Sequence, residues 1–283
     1  MIIALILVSA LLHASWNALL RLEPDKDRGL VGAVLVGSML AAVIAIVRWA
    51  LGEVPFGTVE ALVWTIVAGG FEAVYFVSLA RAMDRGTLGP VYTISRGGAV
   101  LAVWPLSIAL FEEVVTVRSS VGSAVVLVGL ALSGLGVNSG TGKGRSGAIG
   151  YAVASAMGIA GYHLSYKAAL RAEGNPSAVF ALSLGLAAGI SLVRLGGEGR
   201  RIWFALVKRR APRVLAMGIL CGGSFLILME ALARGGSGFV LTLRNTSVLF
   251  AALLAWVIGE RPKPAELFGA AFVAAGAVLM AWA

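Results

Sequence analysis

A nine-residue segment of this chain recurs 150 residues further on, and both copies lie in apolar runs. His13-Ala14-Ser15-Trp16-Asn17-Ala18-Leu19-Leu20-Arg21 returns as His163-Leu164-Ser165-Tyr166-Lys167-Ala168-Ala169-Leu170-Arg171. The His, Ser, Arg, one Ala and one Leu are kept, and one aromatic replaces another at Trp16/Tyr166. Repeated hydrophobic halves are the sequence mark of a carrier whose site lies between them.

A helix needs about 20 apolar residues to cross a ~30 Å hydrocarbon core. Ten runs qualify, near residues 1–20, 29–51, 58–83, 87–111, 119–138, 146–170, 176–195, 212–233, 237–259 and 264–283. The first has no basic leader segment and reads as a spanning helix, not a cleavable signal. The runs are too long, and alternate too little, for barrel strands. The basic stretch 196–211 between the seventh and eighth runs reads as a short interfacial helix.

The repeat continues. Ala82-x-x-Arg85-Gly86 matches Ala231-x-x-Arg234-Gly235, Arg96 falls opposite Arg244, Glu112 opposite Glu260, and Gly122 and Gly129 opposite Gly269 and Gly276. The expected fold is an all-α integral membrane protein of ten transmembrane helices, with halves 1–141 and 142–283. An odd number of helices per half reverses the second copy, so the expectation is a 5+5 inverted repeat.

Composition agrees with a bilayer as solvent. The chain is 59% hydrophobic and only 13% charged, against about 25% charged in soluble domains. Its net charge of +9 reads as topology signals beside anionic lipid, not as a nucleic-acid surface. Sixteen Lys and Arg fall in the loops of one end, against Arg48, Arg118, Arg171 and Arg234, with Lys167 as a fifth, at the other. That count puts both termini outside the cytoplasm. The single cysteine, Cys221, sits in an apolar run as a packing residue.

Charged side chains in mid-bilayer cost about 2.5–3.5 kcal/mol on insertion scales and face a wet cavity or a partner. Glu72, Arg96, Glu230 and Arg244 fall inside the expected helices. Arg96 and Arg244 suit a substrate carboxylate, which a guanidinium matches bidentately, and Glu72 and Glu230 suit an ammonium or a coupled proton. Alternatively, each Glu neutralises the Arg of its own half. His13, Trp16 and Asn17 share one helix face, repeated by His163, Tyr166 and Lys167, and these either line the cavity or bond neighbouring helices. Tyr75, Tyr92 and Trp104 complete the candidate substrate site. No further ligands accompany either His, so no metal site is expected, and no phosphate-binding glycine loop is present, so no cofactor is expected either. The three Asp all lie in loops and no nucleophile–base pair is spaced for catalysis, which argues against a membrane enzyme.

The closing segments Ile258-Gly259-Glu260-Arg261-Pro262, Leu267-Phe268-Gly269-Ala270-Ala271 and Gly276-Ala277-Val278-Leu279, with Leu12-His13-Ala14-Ser15-Trp16-Asn17 in the first helix, resemble the EamA family of the drug/metabolite transporter superfamily. Phe111-Glu112-Glu113 departs from the fuller Gly-Glu-Arg turn in the first half. The resemblance implies a multi-pass carrier of the bacterial inner membrane with a central cavity, often an exporter of amino acids or related metabolites. It also implies cytoplasmic termini, opposite to the charge count. The expected function is therefore secondary or facilitative transport of a small metabolite, most simply an amino acid moved by alternating access, with protons as a coupling partner. Import of phosphonates or other small anions is the second expectation, because Arg96, Arg244 and Lys167 suit either anion.

Overall fold

In a computed structural model the backbone is described for residues 2–111, 116–136, 142–234, 240 and 243–281. The elements are α1 (Ile2–Arg21), α2 (Lys26–Ala50), α3 (Val59–Arg85), α4 (Leu88–Phe111), α5 (Val117–Gly136), α6 (Gly142–Arg171), α7 (Pro176–Arg194), α8 (Gly196–Arg209), α9 (Ala211–Arg234), α10 (Ser247–Val257) and α11 (Pro264–Ala281). No strand occurs among the described residues; Phe56 and Gly174 form an isolated bridge. Of the described helices, α1, α2, α3, α7 and α9 are long and apolar enough to cross a membrane, while Ser120–Ser133, α10 and most of α11 are shorter apolar helices.

Local chemistry sets several helix ends. Asp25 accepts from the Arg28 N–H at the start of α2 and Thr58 from the Ala61 N–H at the start of α3. Asn175 caps α7, with Pro176 at the first helical position where no N–H is needed. At the end of α10, Gly259 is left-handed (φ 88°). The Gly259 N–H reaches Trp256 O at 3.1 Å and the Glu260 N–H reaches Ala255 O at 2.9 Å. This paired closure needs a residue free of a Cβ penalty, which is the reason for Gly in the Gly-Glu-Arg turn.

The packing exchanges partners between the two halves. α3 lies on α6 and α1 on α9; α2 lies on α9 and α3 on α7; α4 lies on α6 and α1 on α10. α2 packs on α7, and α5 on α11. Outward faces carry Met39, Val43 and Ile46 on α2 and Val63, Ile66 and Val74 on α3, all exposed apolar side chains suited to lipid. The α5–α11 crossing is held at backbone distance by four glycines. A Cβ on Gly129 would stand 2.7 Å from both Gly269 O and Val273 N, and one on Gly122 2.7 Å from Gly276 O. Backbone cannot yield as a side-chain tip does, so Gly129→Ala is expected to cost about 1–3 kcal/mol. A fall in melting temperature of the detergent-solubilised protein measures it; an unchanged value would mean the two helices separate without cost.

Ion pairs close the end of the bundle that carries most of the basic residues. Arg21 Nε bonds Glu260 Oε1 at 2.6 Å while its Nη1 bonds Met83 O at 2.7 Å. The other Glu260 oxygen accepts from the Leu88 N–H at 2.9 Å, capping α4. Buried Glu23 meets Arg213 at 3.2 Å and Arg210 at 3.4 Å, Lys26 meets Asp84 at 3.3 Å, and Arg194 pairs with Asp27. At the opposite end the Gly57 N–H bonds Glu173 O at 3.0 Å, and Arg48 bonds Glu53 at 2.8 Å. That hydrogen bond from Arg48 holds the Glu53 carboxyl below its ordinary range.

The run at 237–259 is not one uninterrupted helix. Asn245 and Thr246 form a turn before α10 begins. The Thr246 hydroxyl donates to Leu243 O at 2.7 Å, and the Thr246 N–H reaches the same carbonyl at 3.2 Å. Asn, Thr and Ser in succession offer the backbone local alternatives to the helical ladder. The stretch 196–211, by contrast, contains the short helix α8.

Candidate functional site

Halfway along the bundle, polar and aromatic side chains from α1, α3, α4, α6, α7, α9 and the turn before α10 meet away from solvent. α1 brings His13, Trp16 and Asn17, all fully buried. His13 Nδ1 lies 3.0 Å from Arg244 Nη2, 3.2 Å from Trp16 Nε1 and 3.4 Å from Ser224 Oγ. Guanidinium and indole N–H groups only donate, so Nδ1 is the acceptor and the imidazole is neutral, with its proton on Nε2. Asn17 Nδ2 turns back onto His13 O at 2.8 Å.

Two guanidiniums face this centre without a carboxylate. Arg244 stands over the Phe225 ring at 4.3 Å, and its Nε and Nη1 have no hydrogen-bond partner. Arg96, on α4, lies 5.8 Å from the Tyr92 ring centre, and its Nε and Nη2 are likewise unpartnered. Neither forms an ion pair among the described residues. The expected neutralising pairs, Glu72 with Arg96 and Glu230 with Arg244, are absent there.

Glu72 lies on the far side of an aromatic wall. One of its carboxylate oxygens accepts from the Tyr166 hydroxyl, which also meets Ser183 Oγ at 3.2 Å; the other oxygen has no partner. The wall is built on Tyr162, whose ring centre is 4.5 Å from His163, 5.3 Å from Tyr166, 5.6 Å from Tyr75 and 5.9 Å from Phe225. Phe225 touches His13 at 5.2 Å and stacks on Phe180 at 5.1 Å. Tyr92 stands 6.1 Å from His13. The centre thus has a cationic side, an aromatic middle and one carboxylate opposite.

The remaining expectations divide. Tyr75, Tyr92, His163 and Tyr166 join the cluster, while Lys167 is half-buried. The Trp104 side chain lies outside the described residues. Glu230 does not reach the centre. It bonds Arg48 and, at 2.9 Å, Arg234, near the end of α9. The spacing that aligns Ala82 with Ala231 places Glu72 opposite Cys221, nine residues before Glu230. That offset is about 14 Å along a helix. Glu230→Gln is therefore expected to leave substrate affinity unchanged and to cost about 1 kcal/mol or less, the worth of a half-exposed pair. A large rise in KM would return it to the site.

Tyr162, Ser183, Ser224 and Phe225 were not read from the sequence. Tyr162 had a signal, because it shares a helix face with Tyr166 at i, i+4. His13 and His163 share the centre with two arginines and no acidic cluster, and the described residues hold no group of His, Cys, Asp or Glu fit for a metal.

Residues 146–282 match the EamA-like transporter family, so the second half of the chain belongs to that family, which lies in the drug/metabolite transporter superfamily. Its members are transporters of small molecules, and the chain is a multi-pass membrane protein. Among solved structures, a crystal structure described only as that of a protein superposes with a TM-score of 0.67. It is 18% identical over 98% of this chain and 95% of its own, which establishes a shared fold. No curated protein matches the chain.

Proposed function

We propose that the chain is a secondary transporter that moves a small amino acid out of a bacterial cell across the inner membrane. In this reading ten spans form two inverted five-helix repeats, 1–141 and 142–283, and alternate access to the centre. The exchange of packing partners between halves and the reciprocal glycine contacts of α5 and α11 support the repeat.

One observation carries the substrate assignment: two buried arginines, one from each half, face the centre with no carboxylate partner. Like charges without counterions are costly in an apolar interior, and a substrate carboxylate relieves that cost. Arg96 and Arg244 hold the carboxylate. Glu72 receives the ammonium across the tyrosine wall, and Tyr75, Tyr92, Tyr162 and Tyr166 shape the space between. His13, Arg96, Arg244 and Glu72 are almost wholly buried, which suits an occluded state. The turn at Asn245 and Thr246, beside Arg244, fits the broken helices that carriers place at their sites.

A second reading rests on the imbalance of charge. Four unpartnered guanidinium nitrogens face one unpartnered carboxylate oxygen, which favours a small dianion such as a phosphonate. Uptake of labelled amino acids into proteoliposomes, with and without a pH gradient, tests the first. Saturable uptake blocked by simple carboxylates but not by the matching decarboxylated amines is expected. Inhibition by phosphonates alone favours the second, and equal transport of the amines overturns both.

A further inference from the structure

Beside α8, at the basic end of the bundle, a cleft of about 570 Å³ is lined by Pro24, Asp25, Ile202, Ala205, Leu206, Arg209 and Arg210. Positions 202, 205, 206 and 209 follow the i, i+3, i+4, i+7 spacing of one helix face. That face is therefore an apolar strip ending in two arginines. The neighbouring face of α8 is already used: Val207 and Trp203 pack near Gly32 of α2, and Gly199 O accepts from Arg28 at 3.3 Å. The cleft is a third surface, with Ile202 exposed along it.

Its charge is only partly spent internally. Asp25 pairs with Arg28, and Arg210 lies 3.4 Å from Glu23, which Arg213 also engages. Arg209 has no ion pair or hydrogen bond among the described residues. The depth is that of the membrane–water boundary, because α7 ends at Arg194 and α9 starts at Ala211, with α8 between them. Phe204, two-thirds exposed at 66%, faces outward from the same helix.

We propose that this cleft binds the headgroup of an anionic phospholipid, with its phosphate at Arg209 and Arg210 and its acyl chain along Ile202 and Leu206. A soluble anion would use the arginines but gain nothing from the apolar strip. A zwitterionic lipid would use the strip but bring its own cation to the arginines. Each basic residue near an anionic lipid surface contributes about 1 kcal/mol, roughly fivefold in affinity.

The test uses the full-length chain purified in detergent and titrated with phosphatidylglycerol, phosphatidylcholine or inorganic phosphate. Phosphatidylglycerol is expected to raise the melting temperature, and neither of the others is. Arg209→Gln weakens the phosphatidylglycerol response about fivefold, whereas Arg201→Gln, the same charge change on an exposed residue outside the cleft, does not. An equal loss in both variants, or an equal rise with phosphatidylcholine or phosphate, overturns the site. If Arg209→Gln fails to fold, native mass spectrometry of the unaltered chain decides. One retained phosphatidylglycerol that phosphatidylcholine does not displace supports the cleft, and no preferential retention refutes it.

Discussion

Arg244→Gln is expected to lower transport about thirtyfold or more while leaving the melting temperature unchanged or higher. The two halves of that outcome have one cause. Arg244 is buried beside His13 and Phe225, with Nε and Nη1 unpartnered and no carboxylate within ion-pair reach among the described residues. A structural arginine would be held by an acid, and its loss would leave that acid buried and unpaired at a cost of several kcal/mol. Here no acid is stranded. The substitution loses one hydrogen bond to His13, worth about 1 kcal/mol, and a ring contact worth about 0.5–2 kcal/mol. It gains back an insertion cost of about 2.5–3.5 kcal/mol. Folding therefore comes out even or slightly ahead. Binding does not, because removing one member of a buried charge pair formed with a ligand costs about 2–5 kcal/mol. Arg244→Lys keeps the charge but not the planar fork, and should restore only part of the rate. The decisive comparison is melting temperature against initial uptake rate for both variants. Loss of both together would make Arg244 a structural residue.

The membrane character of the fold was legible because an apolar run needs only composition and length to declare itself. Asp25, Thr58 and the Asn175-Pro176 pair sit where helix starts require them, and the apolar and basic residues of 200–210 announce α8. The helix break before Ser247 was not legible by the same means. Hydropathy averages over a window, and a four-residue polar interruption at Arg244-Asn245-Thr246-Ser247 vanishes into the apolar flanks. Arg96 and Arg244 were found because charge in an apolar run is conspicuous. Their lack of acidic partners depends on side-chain reach across helices, which spacing along one chain does not carry. Glu230 was conspicuous for the same reason, although the 212–233 run already sets it three residues from a helix end and the repeat aligned at Ala82 and Ala231 puts Cys221 opposite Glu72. Tyr162 was overlooked because the matched segment opens one residue later, at His163.

Glu72→Gln separates the two tasks that an acid at this position can perform. Glutamine keeps the shape of glutamate and can still accept from Tyr166, so the α3–α6 contact is expected to persist. A neutral amide is also cheaper to bury than a carboxylate with one unpartnered oxygen. If Glu72 takes the substrate ammonium, the variant loses a charge-assisted hydrogen bond worth about 1.5–3 kcal/mol, and affinity for an amino acid falls about 10- to 100-fold. Affinity for the matching α-hydroxy acid, which keeps the carboxylate for Arg96 and Arg244 but has no ammonium, is unaffected. That selective loss is the expected result. A proton-coupling acid gives a different pattern, in which both substrates bind as before but uptake no longer responds to an imposed pH gradient. The two patterns are distinguished by equilibrium exchange, which needs binding and reorientation but no driving force, measured beside gradient-driven uptake in the same vesicles. If exchange and driven uptake both survive for both substrates, Glu72 serves only to fix Tyr166 against α3.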